Sequence, residues 1–113
     1  MIMAENKFQE NYMDRIYFKE QVMEWARKIK VKPARLRIQK MRNKWASCSS
    51  SGCVTFNEAL LGGDTELRDY VIVHDLLHLR IPNHGKLFKS LLEAHLPRNK
   101  YCHSHYKIRK NTS

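Results

Sequence analysis

Apolar residues recur at roughly helical intervals in the first third of the chain, after a polar start. The series begins at Ile16, ends at Val31, and is broken by Pro33. Because apolar positions three and four residues apart share one face of a helix, this spacing predicts an amphipathic helix over residues 14–30. The polar residues 1–12 are predicted to be a flexible amino terminus.

A different pattern follows the first helix. Apolar and basic residues nearly alternate from Leu36 to Met41, which is typical of a half-buried strand. The segment SCSSSG at 47–52 has the composition of a turn, and residues 53–56 then read as a second strand. We expect the second strand to pair back on the first as an antiparallel hairpin.

The most apolar stretch of the chain runs from Leu67 to Ile81. A break at residues 62–65 precedes it and offers a capping oxygen, and Pro82 ends it. Its apolar residues fall on nearly every side of a helical wheel, and such a helix is usually buried. The pattern therefore predicts a helix at the centre of the domain.

A last helix is predicted after Pro82. Asn83 can cap it, its apolar stripe extends to Leu96, and Pro97 closes it. The pattern as a whole predicts one α+β domain over residues 13–97, followed by a basic carboxy-terminal tail over residues 98–113.

Composition narrows the class of protein. The chain has 113 residues, enough for one domain, and 21 Lys and Arg against 11 Asp and Glu give a formal charge of +10. This charge favours polyanionic partners, so nucleic-acid binding through a basic surface is one expectation.

No apolar run approaches the roughly 20 residues of a membrane span, and we expect no membrane association. No secretory signal is evident and the three cysteines form no paired motif, which favours the cytoplasm.

Three histidines carry the candidate chemistry. His74 and His78 are four residues apart, so both side chains project from one face of the predicted helix. His84 follows just beyond Pro82, where a tight turn could return it to the same place. Three imidazoles leave a fourth zinc position open for water, whose pKa the metal lowers to about 7. The alternative is that the helical pair only packs, or makes a core hydrogen bond.

Two segments resemble a known family. VIVHDLLHLRIPNHGKLF is similar to the VVxHELxHLxxxNHxxxF segment of the YgjP-like metallopeptidases, which are related to SprT-like, or Spartan-like, zinc peptidases. RNKWASCSSSGCVTFN resembles the strand–turn–strand signature RWGSCSSxGxxxxN of that family. The resemblance covers roughly residues 33–97. It implies a zincin-like minimal domain, with a small antiparallel sheet packed against a central metal-binding helix, and one Zn²⁺ per chain.

The resemblance also implies roles for individual residues. It makes His74, His78 and His84 the metal ligands, and it places the family's catalytic glutamate at Asp75, so that HExxH becomes HDxxH. Aspartate keeps the carboxylate but withdraws it by about 1.5 Å, a scale at which misplacement can cost about 100-fold in rate. Trp45 would be a wall of the substrate cleft, or alternatively a core residue.

The sequence therefore predicts a zinc-dependent metallopeptidase that hydrolyses peptide bonds in a peptide or protein substrate through a metal-bound water, with Asp75 as general base and acid. The alternative function is a catalytically weak or inactive metal-binding adaptor domain that binds nucleic acid through its basic surface.

Overall fold

A computed structural model describes residues 14–103 and 111–112. The predicted flexible segment 1–12 and half of the basic tail, residues 104–110 and 113, lie outside the described residues. The helices are α1 (Arg15–Ile29), α2 (Thr65–Leu77), α3 (Lys86–His95) and α4 (Lys100–His103), with a 3₁₀ helix at Glu58–Gly62. The strands are β1 (Arg35–Gln39), β2 (Lys44–Cys48), β3 (Cys53–Asn57) and β4 (Asn111–Thr112). The predicted α+β class is confirmed.

Helix α1 forms where the apolar spacing predicts it. The side chains that it buries are Phe18, Val22, Ala26 and Ile29, which recur at intervals of four, four and three residues. The helix ends at Lys30, which adopts a left-handed conformation and donates its backbone N–H to the Ala26 carbonyl. One face of α1 therefore packs on the sheet, where Phe18 meets Phe56 of β3 edge-to-face at 5.4 Å between ring centroids.

The sheet is mixed, with the order β1-β3-β2-β4. Strands β2 and β3 form an antiparallel hairpin, as the strand–turn–strand signature implies, with Ala46 opposite Phe56. The expectation that residues 36–41 pair antiparallel with residues 53–56 is wrong, because β1 runs parallel to β3. Alternation of apolar and polar residues identifies a strand but not its partner. Strand β2 lacks this alternation, and it occupies the edge of β3 that the hairpin prediction gave to β1.

Asn57 connects the sheet to the loop before β2. Its side-chain amide donates to the carbonyls of Met41 and Lys44 at 3.0 and 2.8 Å, and its Oδ1 accepts from the Ala59 N–H at 3.0 Å. The residue is almost completely buried. The asparagine that ends the family's strand–turn–strand signature thus fixes the β1–β2 loop and caps the 3₁₀ helix.

Replacing Asn57 with alanine is expected to lower the free energy of unfolding by about 2–3 kcal/mol. The change leaves three part-buried backbone groups, the carbonyls of Met41 and Lys44 and the N–H of Ala59, without their hydrogen-bond partner. Urea denaturation followed by circular dichroism would measure the loss. Asn57→Asp keeps the Oδ1 acceptor but places a carboxylate oxygen against the two carbonyls, so it should lower stability at least as much as alanine if the donated bonds matter. An alanine variant as stable as wild type would contradict the role given to this side chain.

Helix α2 lies at the centre of the domain, as its apolar character predicts. Every residue from Val71 to Leu77 is buried, including His74 and Asp75. Its amino terminus is capped by Asp64, whose side chain accepts from the Leu67 N–H at 2.7 Å. In the part of the chain that the structure describes, no helix is long and apolar enough to span a membrane.

The short helix α4 is held against the start of α2. Buried Asn99 donates from Nδ2 to the Glu66 carbonyl at 2.8 Å, and the Lys100 N–H donates to the Glu66 carboxylate at 2.8 Å. The Asn99 Oδ1 also accepts from the Tyr101 N–H at 2.9 Å. These bonds hold Tyr101 beside Tyr70 of α2, with 5.9 Å between ring centroids.

Candidate metal centre

The carboxy-terminal end of α2 positions two of the three histidines. His74 lies in the last turn of the helix, and His78 is its C-cap residue, one position beyond Leu77. The predicted helix extends to Ile81, but residues 78–80 form a tighter turn in which the N–H groups of Leu79 and Arg80 donate to carbonyls three residues earlier. The tighter turn forms just before Pro82, which cannot continue a helix.

The loop between α2 and α3 returns His84 to this helix end. One ring nitrogen from each of His74, His78 and His84 lies within 4.8 Å of the others. The Nε2 atoms of His78 and His84 are 2.9 Å apart. The three ring centroids are separated by 4.6 to 5.0 Å. The structure therefore brings together all three of the histidines that the sequence singles out.

The backbone fixes the orientation of one imidazole. The Nδ1 of His78 lies 3.2 Å from the carbonyl oxygen of Ile81. Because a carbonyl can only accept, Nδ1 carries the proton and Nε2 keeps its lone pair directed at His84. Partners of this kind commonly orient histidines that ligate metals. The amino-acid pattern does not reveal this contact, since the partner is a main-chain atom.

Phe88 of α3 forms one wall of the cluster. Its ring centroid lies 5.2, 4.8 and 4.8 Å from those of His74, His78 and His84, respectively. The side chain is 1% exposed. Burial, followed by the charges of His74 and His78, lowers the pKa of His84 below the ordinary value for histidine. This environment favours neutral imidazole, which is the form that binds metal.

Asp75 follows His74 on α2. Its side chain is fully buried, and Oδ2 is 3.8 Å from Nδ1 of His74. Burial, then the charge of Asp75 and then Cys53, raises the pKa of the Cys48 thiol. Cys48 of β2 is therefore close enough to the Asp75 carboxylate to be affected by its charge. The sequence pattern did not reveal that these two residues lie near each other.

Two aromatic residues complete the surroundings. Tyr70, one turn before His74 on α2, lies 5.6 Å from its ring. Burial, followed by the charges of Cys102 and Asp75, raises the pKa of Tyr70. Trp45 is half-buried and packs against the hydrophobic core. Its role as a wall of the cleft stays a prediction, beside the alternative of a core residue.

The family model for the YgjP-like metallopeptidase domain matches residues 4–108. The chain belongs to this family. The match covers both segments that carry the sequence resemblance, so that prediction is confirmed. Membership of a YgjP-like metallopeptidase family implies a catalytic metal and a peptide or protein substrate.

Two solved structures are similar to the YgjP-like domain. The metallopeptidase zymogen of Methanocaldococcus jannaschii jannalysin aligns with a TM-score of 0.67 and 28% sequence identity, over 74% of this chain and 86% of that chain. The metallopeptidase zymogen of Pyrococcus abyssi abylysin aligns with a TM-score of 0.65 and 22% identity, over 75% and 87%. The second likeness concerns the fold alone. No curated protein gives a significant match.

Proposed function

We propose that this YgjP-like domain is a zinc-dependent metallopeptidase whose ion is held by His74, His78 and His84. The observation that carries the proposal is the convergence of three ring nitrogens to within 4.8 Å of one another. Three neutral imidazoles at such distances suit a zinc ion, with one coordination position left for water or substrate. Catalytic zinc sites commonly have three protein ligands.

The donor set fits a metal better than it fits a packed core. The Nδ1 atom of His74 is buried and has no hydrogen-bond partner among the described residues. Buried polar groups in native proteins are nearly always paired, so this imidazole does not behave as a satisfied core histidine. A divalent cation among the three rings would also offset the negative charge of fully buried Asp75.

When bound, zinc supplies a Lewis acid for the scissile carbonyl and lowers the pKa of its water to about 7. Asp75 then acts on protons: its carboxylate accepts one from the attacking water and later gives it to the departing amine. The C–N bond breaks as the hydroxyl joins the acyl carbon, so that water is divided between the new carboxyl and amino ends. The Ile81 carbonyl and Phe88 hold the imidazoles of His78 and His84 in place throughout.

The first test is the metal content of protein purified without added metal or a histidine tag. Wild type is expected to carry about one zinc per chain, and His78→Ala close to none, because two remaining imidazoles hold zinc far more weakly than three. Mass spectrometry of the metal would measure both. His95→Ala is the matched control, since His95 lies on α3 with its ring against Trp25 rather than in the cluster.

The metal content of these proteins distinguishes a zinc site from a site for another metal and from no site. Wild type that neither contains zinc nor takes up added zinc would refute the three-histidine site. Nickel or iron in place of zinc would keep the site and correct the metal. Equal loss of metal from His78→Ala and His95→Ala would count against specific ligation if circular dichroism shows that both variants are unfolded. If both variants are folded, the same result would add His95 to the metal site.

A further inference from the structure

A long stretch of the chain carries positive charge only. Between Glu24 and Glu58 there is no acidic residue, whereas the same stretch contains nine Lys and Arg residues. All nine are exposed. The formal charge of +10 is therefore distributed unevenly, and much of it lies between the end of α1 and the start of β2.

Seven of the nine form what we call the basic stripe. Its residues are Lys30, Lys32, Arg35, Arg37, Lys40, Arg42 and Lys44. None of them makes an ion pair with a residue in 14–103. Basic residues elsewhere do: Arg15 pairs with Glu58 at 2.7 Å, and Lys100 approaches Asp64 at 3.9 Å. The charge of the stripe is thus left for a partner outside the described residues.

The sheet gives the stripe its shape. Strand β1 is an edge strand that pairs with β3 on one side. Arg35 and Arg37 lie opposite Cys53 and Thr55, respectively, so they project from the same face of the sheet. Alternate residues of a strand are about 6.6 Å apart, which keeps the two guanidinium groups in one row. The loop from β1 to β2, which carries Lys40 and Arg42, then crosses the end of β3, because β2 lies on the other side of β3.

Protection of an open sheet edge explains only part of this pattern. Charged side chains on an edge strand discourage pairing with another chain, and Arg35 and Arg37 satisfy that need. Lys30 and Lys32 precede the strand, while Lys40 and Arg42 follow it in a loop, where no edge requires protection. The stripe therefore extends well beyond the strand whose edge it would shield.

We propose that the basic stripe binds the phosphate backbone of a nucleic-acid duplex without reading its base sequence. Seven exposed Lys and Arg residues that make no ion pair with residues 14–103 are suited to the closely spaced negative charges of a duplex. Residues 30–44 contain no Phe, Tyr or Trp. Proteins that bind single strands generally stack bases on such rings, so the composition of the stripe favours a duplex.

The test compares two variants of equal charge. Arg35→Gln/Arg37→Gln removes two charges from the stripe, and Lys19→Gln/Arg98→Gln removes two exposed charges from α1 and from the α3–α4 turn. Fluorescence anisotropy would give the Kd for a labelled 20-base-pair DNA duplex over a series of salt concentrations. The stripe variant is expected to bind about tenfold more weakly at moderate salt, and its slope of log K against log salt should fall by about 2. The control variant should match wild type.

Several results would overturn the proposal. One is wild type that does not bind the duplex even at low salt. Another is equal weakening in both variants, which would show that net charge alone attracts the DNA. Tighter binding to a single strand of the same length would exclude the preference for a duplex, and tighter binding to polyglutamate would point to an acidic protein partner. Circular dichroism would establish that both variants are folded.

Discussion

Asp75→Asn is expected to lower kcat/KM for peptide hydrolysis by about 100- to 10,000-fold while the zinc content stays at the wild-type value. Asparagine has nearly the shape of aspartate but cannot accept the proton of the attacking water, and general acid–base groups typically contribute this much. The three imidazoles are unchanged, so the metal should remain. The measurement pairs a fluorogenic-peptide assay with metal analysis of the same preparations. Equal activity in both proteins would refute the role of Asp75.

The length of the acid can be tested separately with Asp75→Glu. We expect the wild type to be active and the variant to be more active, because glutamate carries the carboxylate about 1.5 Å farther toward the reacting water. Asp75 is 0% exposed, so the added methylene must be accommodated by its neighbours. Hydrolysis by the glutamate variant alone would show that the natural chain is an inactive metal-binding domain. Its zinc would then serve stability.

Phe88→Ala is expected to lower the free energy of unfolding by about 3–5 kcal/mol, the usual cost of removing a buried phenylalanine. The ring is 1% exposed and lies within 5.2 Å, centroid to centroid, of all three imidazoles. Its loss would also free these rings to leave the geometry that ligation requires. We therefore expect zinc affinity to fall by about 10- to 100-fold, as when the groups that orient ligands are removed.

Phe18→Ala is the control for this effect. Phe18 is equally buried but packs on Phe56 of the sheet, and it makes no ring contact with the histidines. Both variants should lose stability in chemical denaturation, whereas competition with a zinc-binding dye should show weaker binding only for Phe88→Ala. If Phe18→Ala weakened zinc binding to the same extent, the effect would come from general loosening of the core.

The sequence predicted best those features that depend on local spacing. Helix α1 follows from apolar residues three and four apart, and the burial of α2 follows from its lack of a polar face. The histidine cluster was also accessible, because the i, i+4 pair and a helix-ending proline place three imidazoles within one short segment. In each case, the residues that form the pattern lie close together in the sequence, within one helix or within one helix and the loop that follows it.

Features that depend on contacts between distant segments were not accessible. Whether β1 runs parallel or antiparallel to β3 depends on β2, whose residues do not alternate between apolar and polar. The docking of α4 depends on buried Asn99 reaching the backbone of Glu66, 33 residues away. The orientation of His78 depends on a carbonyl oxygen, which every residue possesses. None of these leaves a distinctive pattern in the side chains.

The place where α2 ends has an electrostatic consequence. His78 caps the carboxy terminus of the helix and His74 lies in its last turn, so the imidazole cluster is at that end. Aligned peptide dipoles give a helix carboxy terminus about half a negative charge, which favours a nearby cation by about 0.3–1 kcal/mol. Three neutral imidazoles contribute no countercharge of their own. The backbone of α2 thus supplies part of the negative potential that a divalent ion needs in a protein with a formal charge of +10.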